Sequence, residues 1–147
     1  PELAADLAAR YGGPVHLHRD HRGIPDAFGV SVISVQAVRA LAGLAGRELE
    51  PVRFRMSVVV DLPGRGAFPE DELVGTSVGL GDARIRVAMR DPRCMVVNTD
   101  PATGERDPSV LRAIARHRDA CLGVYGTCER PATVRVGDPV TLVPASG

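Results

Sequence analysis

The chain has 147 residues, 44% of them hydrophobic and 24% charged, and its 18 Lys+Arg are balanced by 18 Asp+Glu. That size and composition suit one globular domain over residues 1–147 with its own core, and argue against disorder. Zero net charge and an aromatic content of 3% remove the basic field and the stacking platforms that nucleic acid or an anionic membrane surface would require.

In chain order, Glu2 to Tyr11 places Leu3 and Leu7 among alanines, an amphipathic helix closed by Gly12-Gly13. Val15 to His18 reads as a short strand, and His21 to Phe28, with Gly23, Pro25 and Asp26, as a loop. Val30 to Ile33 is a β-branched run that ends at Ser34, a favourable N-cap. The helix it starts carries Val35, Val38, Leu41 and Ala42 and stops at Gly46. Val52 to Val60 is the clearest strand by alternation. Val52, Phe54, Met56, Val58 and Val60 face inward, so Arg53, Arg55 and Ser57 share the outer face. Arg84 to Arg90 repeats the pattern, with Ile85, Val87 and Met89 inside and Arg84, Arg86 and Arg90 outside. Cys94 to Asn98 reads as a strand with Cys94, Val96 and Asn98 on one face. Asp107-Pro108 opens a helix whose buried stripe is Val110, Leu111 and Ile114. Val124-Tyr125, Val134 to Val136 and Val140 to Val143 are short strands between Gly and Pro turns. The expected fold is mostly β with peripheral helices, an α+β chain built on a closed or nearly closed barrel.

The first candidate for chemistry is Cys94, at a turn-to-strand junction in Arg90-Asp91-Pro92-Arg93-Cys94. Nearby guanidinium charge favours thiolate, the form that attacks, carries sulfur or binds a soft metal. The competing reading is a small buried hydrophobe, which Cys121 and Cys128 fit better. Three cysteines without a C-x-x-C pair are neither a disulfide framework nor a zinc site, and a reducing, cytoplasmic setting is the default. The Arg53–Arg55 pair suits an anionic cofactor, since guanidinium forks match phosphate and carboxylate; the alternative is a solvated strand face. His16, His18 and His21 lack further ligands and have Arg19 and Arg22 between and beside them, so a metal site there is not expected. Asp100-Pro101-Ala102-Thr103-Gly104 is a tight turn. No phosphate-cradling glycine loop or G-x-S-x-G elbow occurs. No apolar run approaches the ~18–20 residues of a membrane span. The chain opens on Pro1-Glu2 without a leader segment, so upstream residues are expected to be missing.

Five stretches in order resemble a MOSC domain, the molybdenum cofactor sulfurase C-terminal domain. They are Arg53-Phe54-Arg55, Phe68-Pro69-Glu70-Asp71-Glu72-Leu73-Val74-Gly75, Pro92-Arg93-Cys94, Asp100 to Asp107, and Gly137-Asp138-Pro139-Val140, with Val30 to Ser34 upstream. The resemblance covers almost the whole chain and implies a β-barrel like that of the pyruvate kinase barrel domain. It also implies a molybdenum cofactor (a pterin dithiolene bearing a phosphate), with Cys94 as the molybdenum ligand and reactive centre. The contacts it implies for the cofactor are Arg53, Arg55, Ser57, Ser34, Arg93 and Asn98. The implied activity is reduction of N-hydroxylated small molecules with electrons from a partner protein; the alternative is a sulfur carrier that forms a Cys94 persulfide and is served by a sulfur-donor protein. Met56-Ser57 stands where that family carries Pro-Asn, and Val35 where a threonine follows Ser34.

Overall fold

The computed structural model describes residues 2–17 and 29–143. The expected loop His21 to Phe28 and the imidazoles of His18 and His21 lie outside the described residues. Helix α1 spans Glu2–Tyr11 and buries none of its side chains; residues 15–17 form no strand. Strand β1, Val30–Ser34, runs directly into helix α2, Val35–Ala45. Ser34 caps that helix: its Oγ accepts the Ala37 N–H at 2.9 Å. Gly46 closes it at φ 67°, which lets the Arg47 N–H reach back to the Ala42 carbonyl at 3.1 Å.

Here the first correction appears. Residues 52–60 are not one strand. Pro51 starts a 3₁₀ turn over Pro51–Phe54, Arg55 takes a left-handed conformation at φ 54°, and strand β2 is only Val58–Val60. The expected faces are therefore rearranged: Val52 is 64% exposed, while Arg53 is 4% exposed beside the fully buried Phe54. The proline presets a turn φ at a position the alternation treats as extended. Met56 is partly buried against the helix-side core and Val58 against the other.

After a 3₁₀ turn at Pro69–Leu73 come β3, Ser77–Leu80, and β4, Ala83–Pro92. In β4, Ile85 and Val87 point inward as expected, but a register shift between Val87 and Met89 leaves Met89 39% exposed. A second correction follows. Cys94 to Asn98 is not a strand; Cys94 is the extended residue ahead of a 3₁₀ turn, Met95–Asn98, whose buried side chain is Val97. Helix α3, Ser109–Arg118, begins one residue later than the Asp-Pro signal suggests. The Asp107 side chain accepts the Ser109 N–H at 2.8 Å, and Val110, Ala113 and Ile114 form its buried stripe. Strand β5 is Cys121–Arg130 and β6 is Val140–Val143, whereas Val134 to Val136 is exposed and not a strand.

Among the described residues six strands form one sheet in the order β2-β1-β5-β4-β3-β6. Only β1 and β2 pair in parallel; the other pairs are antiparallel. The sheet curls into a half-barrel and remains open between its edge strands β2 and β6. One core lies under α2 and α3 and contains Ile33, Leu41, Phe54, Val97, Ile114 and Leu122. The other fills the concave side with Val32, Val60, Val78, Ile85, Val87 and Val124. Leu122 and Val124 would share a face in a regular strand. They enter different cores because Gly123 sits between them at φ 78°. A Cβ there would lie 2.7 Å from the Val32 carbonyl and 2.2 Å from the Met56 methyl. Among the described residues no helix is long and apolar enough to cross a membrane.

Candidate functional site

Cys94 is a free, exposed thiol at the head of the Met95–Asn98 turn. Cys121 is half-buried and Cys128 is also exposed, so the small-buried-hydrophobe reading fails for Cys128. Two arginines hold the Cys94 segment from opposite sides. Arg93, whose side chain is 12% exposed, pairs with the buried Asp91. It also donates to the Phe54 carbonyl at 2.6 Å and approaches the Met56 sulfur at 3.5 Å. From the other side, buried Arg53 donates to the Asp100 carboxylate at 2.5 Å and to the Val97 carbonyl at 3.3 Å. Between these clamps Arg55 stands exposed, with no side-chain hydrogen bond or ion pair among the described residues. The left-handed backbone at Arg55 costs a non-glycine residue about 1–2 kcal/mol. It persists because Phe54 is anchored in the core and its carbonyl is held by Arg93.

The backbone of Arg93 is fixed as well: its N–H donates to the Ala120 carbonyl at 2.7 Å. Asp119 and Ala120 are both left-handed, at φ 53° and φ 60°, and form the tight turn from α3 into β5. Arg90, expected outside, is instead half-buried in a network. It faces Asp71 at 3.5 Å and Asp119 at 3.3 Å and donates to the Arg118 carbonyl at 2.6 Å. Arg118 also pairs with Asp71 and lies 3.9 Å from the centre of the Phe68 ring. Both arginines near Cys94 in sequence are thus matched by carboxylates.

The remaining expected contacts separate into two groups. Ser57 is exposed and joined to Ser31: each backbone N–H donates to the other's hydroxyl, at 2.9 and 3.2 Å, and the hydroxyls lie 3.2 Å apart. Ser57 and Arg55 therefore reach solvent on one short segment beside Arg93. Ser34, Asn98 and Arg53 instead have partners within the fold. The side-chain oxygen of Asn98 accepts the Leu111 N–H of α3 at 2.9 Å. Ser34 is fully buried, capping α2 and donating to Glu70 Oε2 at 2.5 Å. Asp100 ties the following turn together by accepting the N–H groups of Ala102 and Thr103. Those donors, with Arg53 adding positive charge, hold its carboxyl below the usual value of 3.8.

Glu70 carries no signal of its own in the sequence beyond the Phe68-Pro69-Glu70 stretch. Its carboxyl is fully buried, Oε1 has no hydrogen-bond partner among the described residues, and burial pushes its pKa above 4.5 against the Ser34 hydrogen bond, which pulls it down. The sign of the pH effect follows. The folded state retains this proton to higher pH than the unfolded chain, so ionisation costs stability as pH rises through and above 4.5. Glu70→Gln should therefore gain on the wild type in melting temperature as pH is raised from 4 to 7. A difference that stays constant over that window would show that Glu70 titrates alike in the folded and the unfolded chain.

Comparison with known proteins fits this geometry. The MOSC domain family matches residues 18–141, and the chain belongs to that family. It is 28% identical over 138 residues to mitochondrial amidoxime-reducing component 1 of Mus musculus, covering 85% of this chain and 39% of that protein. It is 31% identical over 85 residues to molybdenum cofactor sulfurase of Caenorhabditis briggsae, covering 58% of this chain and 12% of that one. The chain thus spans about two fifths of the amidoxime-reducing relative. Among solved structures, YiiM from Geobacillus stearothermophilus superposes with a TM-score of 0.60 at 17% identity, over 78% of this chain and 54% of that chain. The YuaD protein from Bacillus subtilis gives 0.61 at 19% identity, over 76% and 62%. Both likenesses concern the fold.

Proposed function

We propose that this chain is a single MOSC domain that holds a molybdenum–pterin cofactor through Cys94. We further propose that it reduces N-hydroxylated small molecules with electrons from a separate donor protein. The observation that carries the reading is the placement of Cys94: a free, exposed thiol on a segment clamped by Arg93 and Arg53, with an exposed Arg55 next to Phe54 that has no side-chain partner among the described residues. The donor set fits the group. A thiolate is the soft ligand that molybdenum takes, and an uncommitted guanidinium matches an anionic pterin phosphate. Ser57 adds a hydroxyl on the same segment, shared with Ser31. When bound, the cofactor supplies the redox chemistry; the chain's residues orient it and keep Cys94 in place. The amidoxime-reducing relatives support the substrate class.

A second reading has its own support. Val35 stands where the family carries a threonine and Met56-Ser57 where it carries Pro-Asn, and molybdenum cofactor sulfurase is among the relatives. In that reading the Cys94 thiolate attacks the outer sulfur of a donor protein's cysteine persulfide, forming the Cys94 persulfide and releasing the donor thiolate.

Metal and pterin analysis of protein made in cells competent for the cofactor decides between them. Wild type should retain molybdenum, Cys94→Ser should fall to background, and Cys121→Ser should match wild type. Arg55→Ala should retain less cofactor, a loss of about 1.5–3 kcal/mol for a charge-assisted contact. Metal-free wild type that gains a persulfide on Cys94 from a sulfur donor would establish the second reading. Wild type inert in both assays would overturn both.

A further inference from the structure

Helices α2 and α3 carry charge of one sign. Neither contains an acidic residue, while α2 contributes Arg39 and α3 contributes Arg112, Arg116, His117 and Arg118. In a chain whose 18 Lys+Arg are balanced by 18 Asp+Glu, this layer is not neutralised within itself. Arg118 turns away from it, to Asp71 and the Phe68 ring. Where the two helices meet they leave a concavity of about 170 Å³. Leu44 and Ala45, from the last turn of α2, and Ala113 of α3 are its apolar part; Ser109, Arg112, Arg116 and His117 supply its polar groups.

Ser109, Arg112 and Arg116 fall at i, i+3 and i+7, one stripe of the helix, and His117 lies one turn beyond Ala113. Arg112, Arg116 and His117 are exposed, and neither they nor the Ser109 hydroxyl have a side-chain partner among the described residues. Like charges at i, i+4 destabilise a helix, and no carboxylate lines the concavity to relieve this pair. The acid next to Ser109 along the chain, Asp107, is committed to Arg47 and to the Ser109 N–H. The Leu111 N–H is likewise taken, by Asn98. The positive groups on offer are therefore side chains and not the amides at the start of α3.

We propose that this concavity binds a phosphomonoester dianion with a small apolar substituent. Two guanidinium forks on adjacent turns match a doubly charged head with three oxygens. Ser109 adds a hydroxyl donor, and Leu44, Ala45 and Ala113 cover the substituent. The volume lies below the ~300–1,000 Å³ of larger ligand sites, which limits the substituent to one ring. The site uses no residue of the Cys94 segment, so its outcome is independent of the metal analysis above.

Three probes test it by calorimetric titration into the protein at one ionic strength: phenyl phosphate, phenyl sulfate and inorganic phosphate. At about pH 7.5 a phosphomonoester, with a second pKa of ~6, is a dianion, whereas the sulfate ester carries a single charge on the same ring. Phenyl phosphate should bind about tenfold more tightly than phenyl sulfate, the effect of one further charge-assisted contact. It should also bind more tightly than inorganic phosphate, which leaves the apolar part uncovered. Arg112→Ala and Arg116→Ala should each weaken phenyl phosphate about tenfold and shrink its advantage over the sulfate. Arg39→Ala removes the same charge from α2 outside the concavity and should leave the affinity unchanged. All three arginines are exposed, and unchanged melting curves would show that the variants are folded. Equal affinity for the two esters, inorganic phosphate binding as tightly as phenyl phosphate, an equal loss in Arg39→Ala, or no binding of phenyl phosphate would each overturn the proposal.

Discussion

Arg93→Ala is expected to lower the unfolding free energy by about 3–5 kcal/mol, the cost of removing one partner from a buried ion pair. Asp91 is 0% exposed, so the loss of the Arg93 cation removes an ion-pair partner from a carboxylate that water does not reach. The Phe54 carbonyl loses a donor at 2.6 Å in the same step, and the Met56 sulfur loses its polar neighbour. Arg93→Lys should recover only part of the loss, because an ammonium lacks the planar fork that reaches a carboxylate and a carbonyl together. Chemical denaturation measures the stability. A second readout follows from position: with Phe54 and Arg93 uncoupled, the Arg55 segment loses its fixed relation to Cys94, so Arg93→Lys should retain less molybdenum per folded molecule than wild type. An alanine variant as stable as wild type would show that Arg93 does not hold the site together.

The parts of the fold legible in the sequence are those fixed by local chemistry. Ser34 and Gly46 mark both ends of α2 because a hydroxyl cap and a left-handed glycine act within a few residues. Asp107-Pro108 places α3 to within one residue for the same reason. Where long-range pairing decides, the reading fails. The alternation of 52–60 is genuine, yet Pro51 and the left-handed Arg55 break the run into a turn and a three-residue strand. The strand pattern places Arg53 in solvent because a lone arginine in such a run belongs there. Its partners, Asp100 and the Val97 carbonyl, lie more than forty residues further along the chain. The parallel pairing of β1 with β2 leaves no mark in either strand's composition. The sequence marks Cys94 by its arginine neighbours, but those arginines are matched by Asp91, Asp71 and Asp119. What Arg93 supplies to Cys94 is position. Glu70 was visible only as one letter of a family motif, since a buried acid without a nearby base carries no pattern of its own.

Arg53→Ala separates the two roles that sequence and structure give this residue. As a cofactor contact on an outer face, its loss would spare the fold and release only the cofactor. As a clamp that is 4% exposed, it should cost about 2–4 kcal/mol of stability whether or not cofactor is bound, through the cavity it leaves and the unsatisfied Val97 carbonyl. The Asp100 charge remains partly hydrated, at 30% exposure, and contributes less. The pH dependence supplies an independent check. The Asp100 carboxyl is held below 3.8 in the fold, so the stability it brings is present above that value and is lost as pH falls through the lower folded value. Arg53 contributes to that depression behind the Ala102 and Thr103 N–H groups, so part of the acid loss should disappear with the guanidinium. The stability gap between wild type and Arg53→Ala should therefore be widest near neutral pH and narrow below pH 3.8, while Arg53→Lys keeps the charge and some of the gap. Denaturation curves at pH 7 and pH 3 would measure it. A variant with wild-type stability and reduced molybdenum would return Arg53 to the cofactor; an unstable variant whose gap narrows in acid fixes it as the clamp that holds the turn behind Cys94.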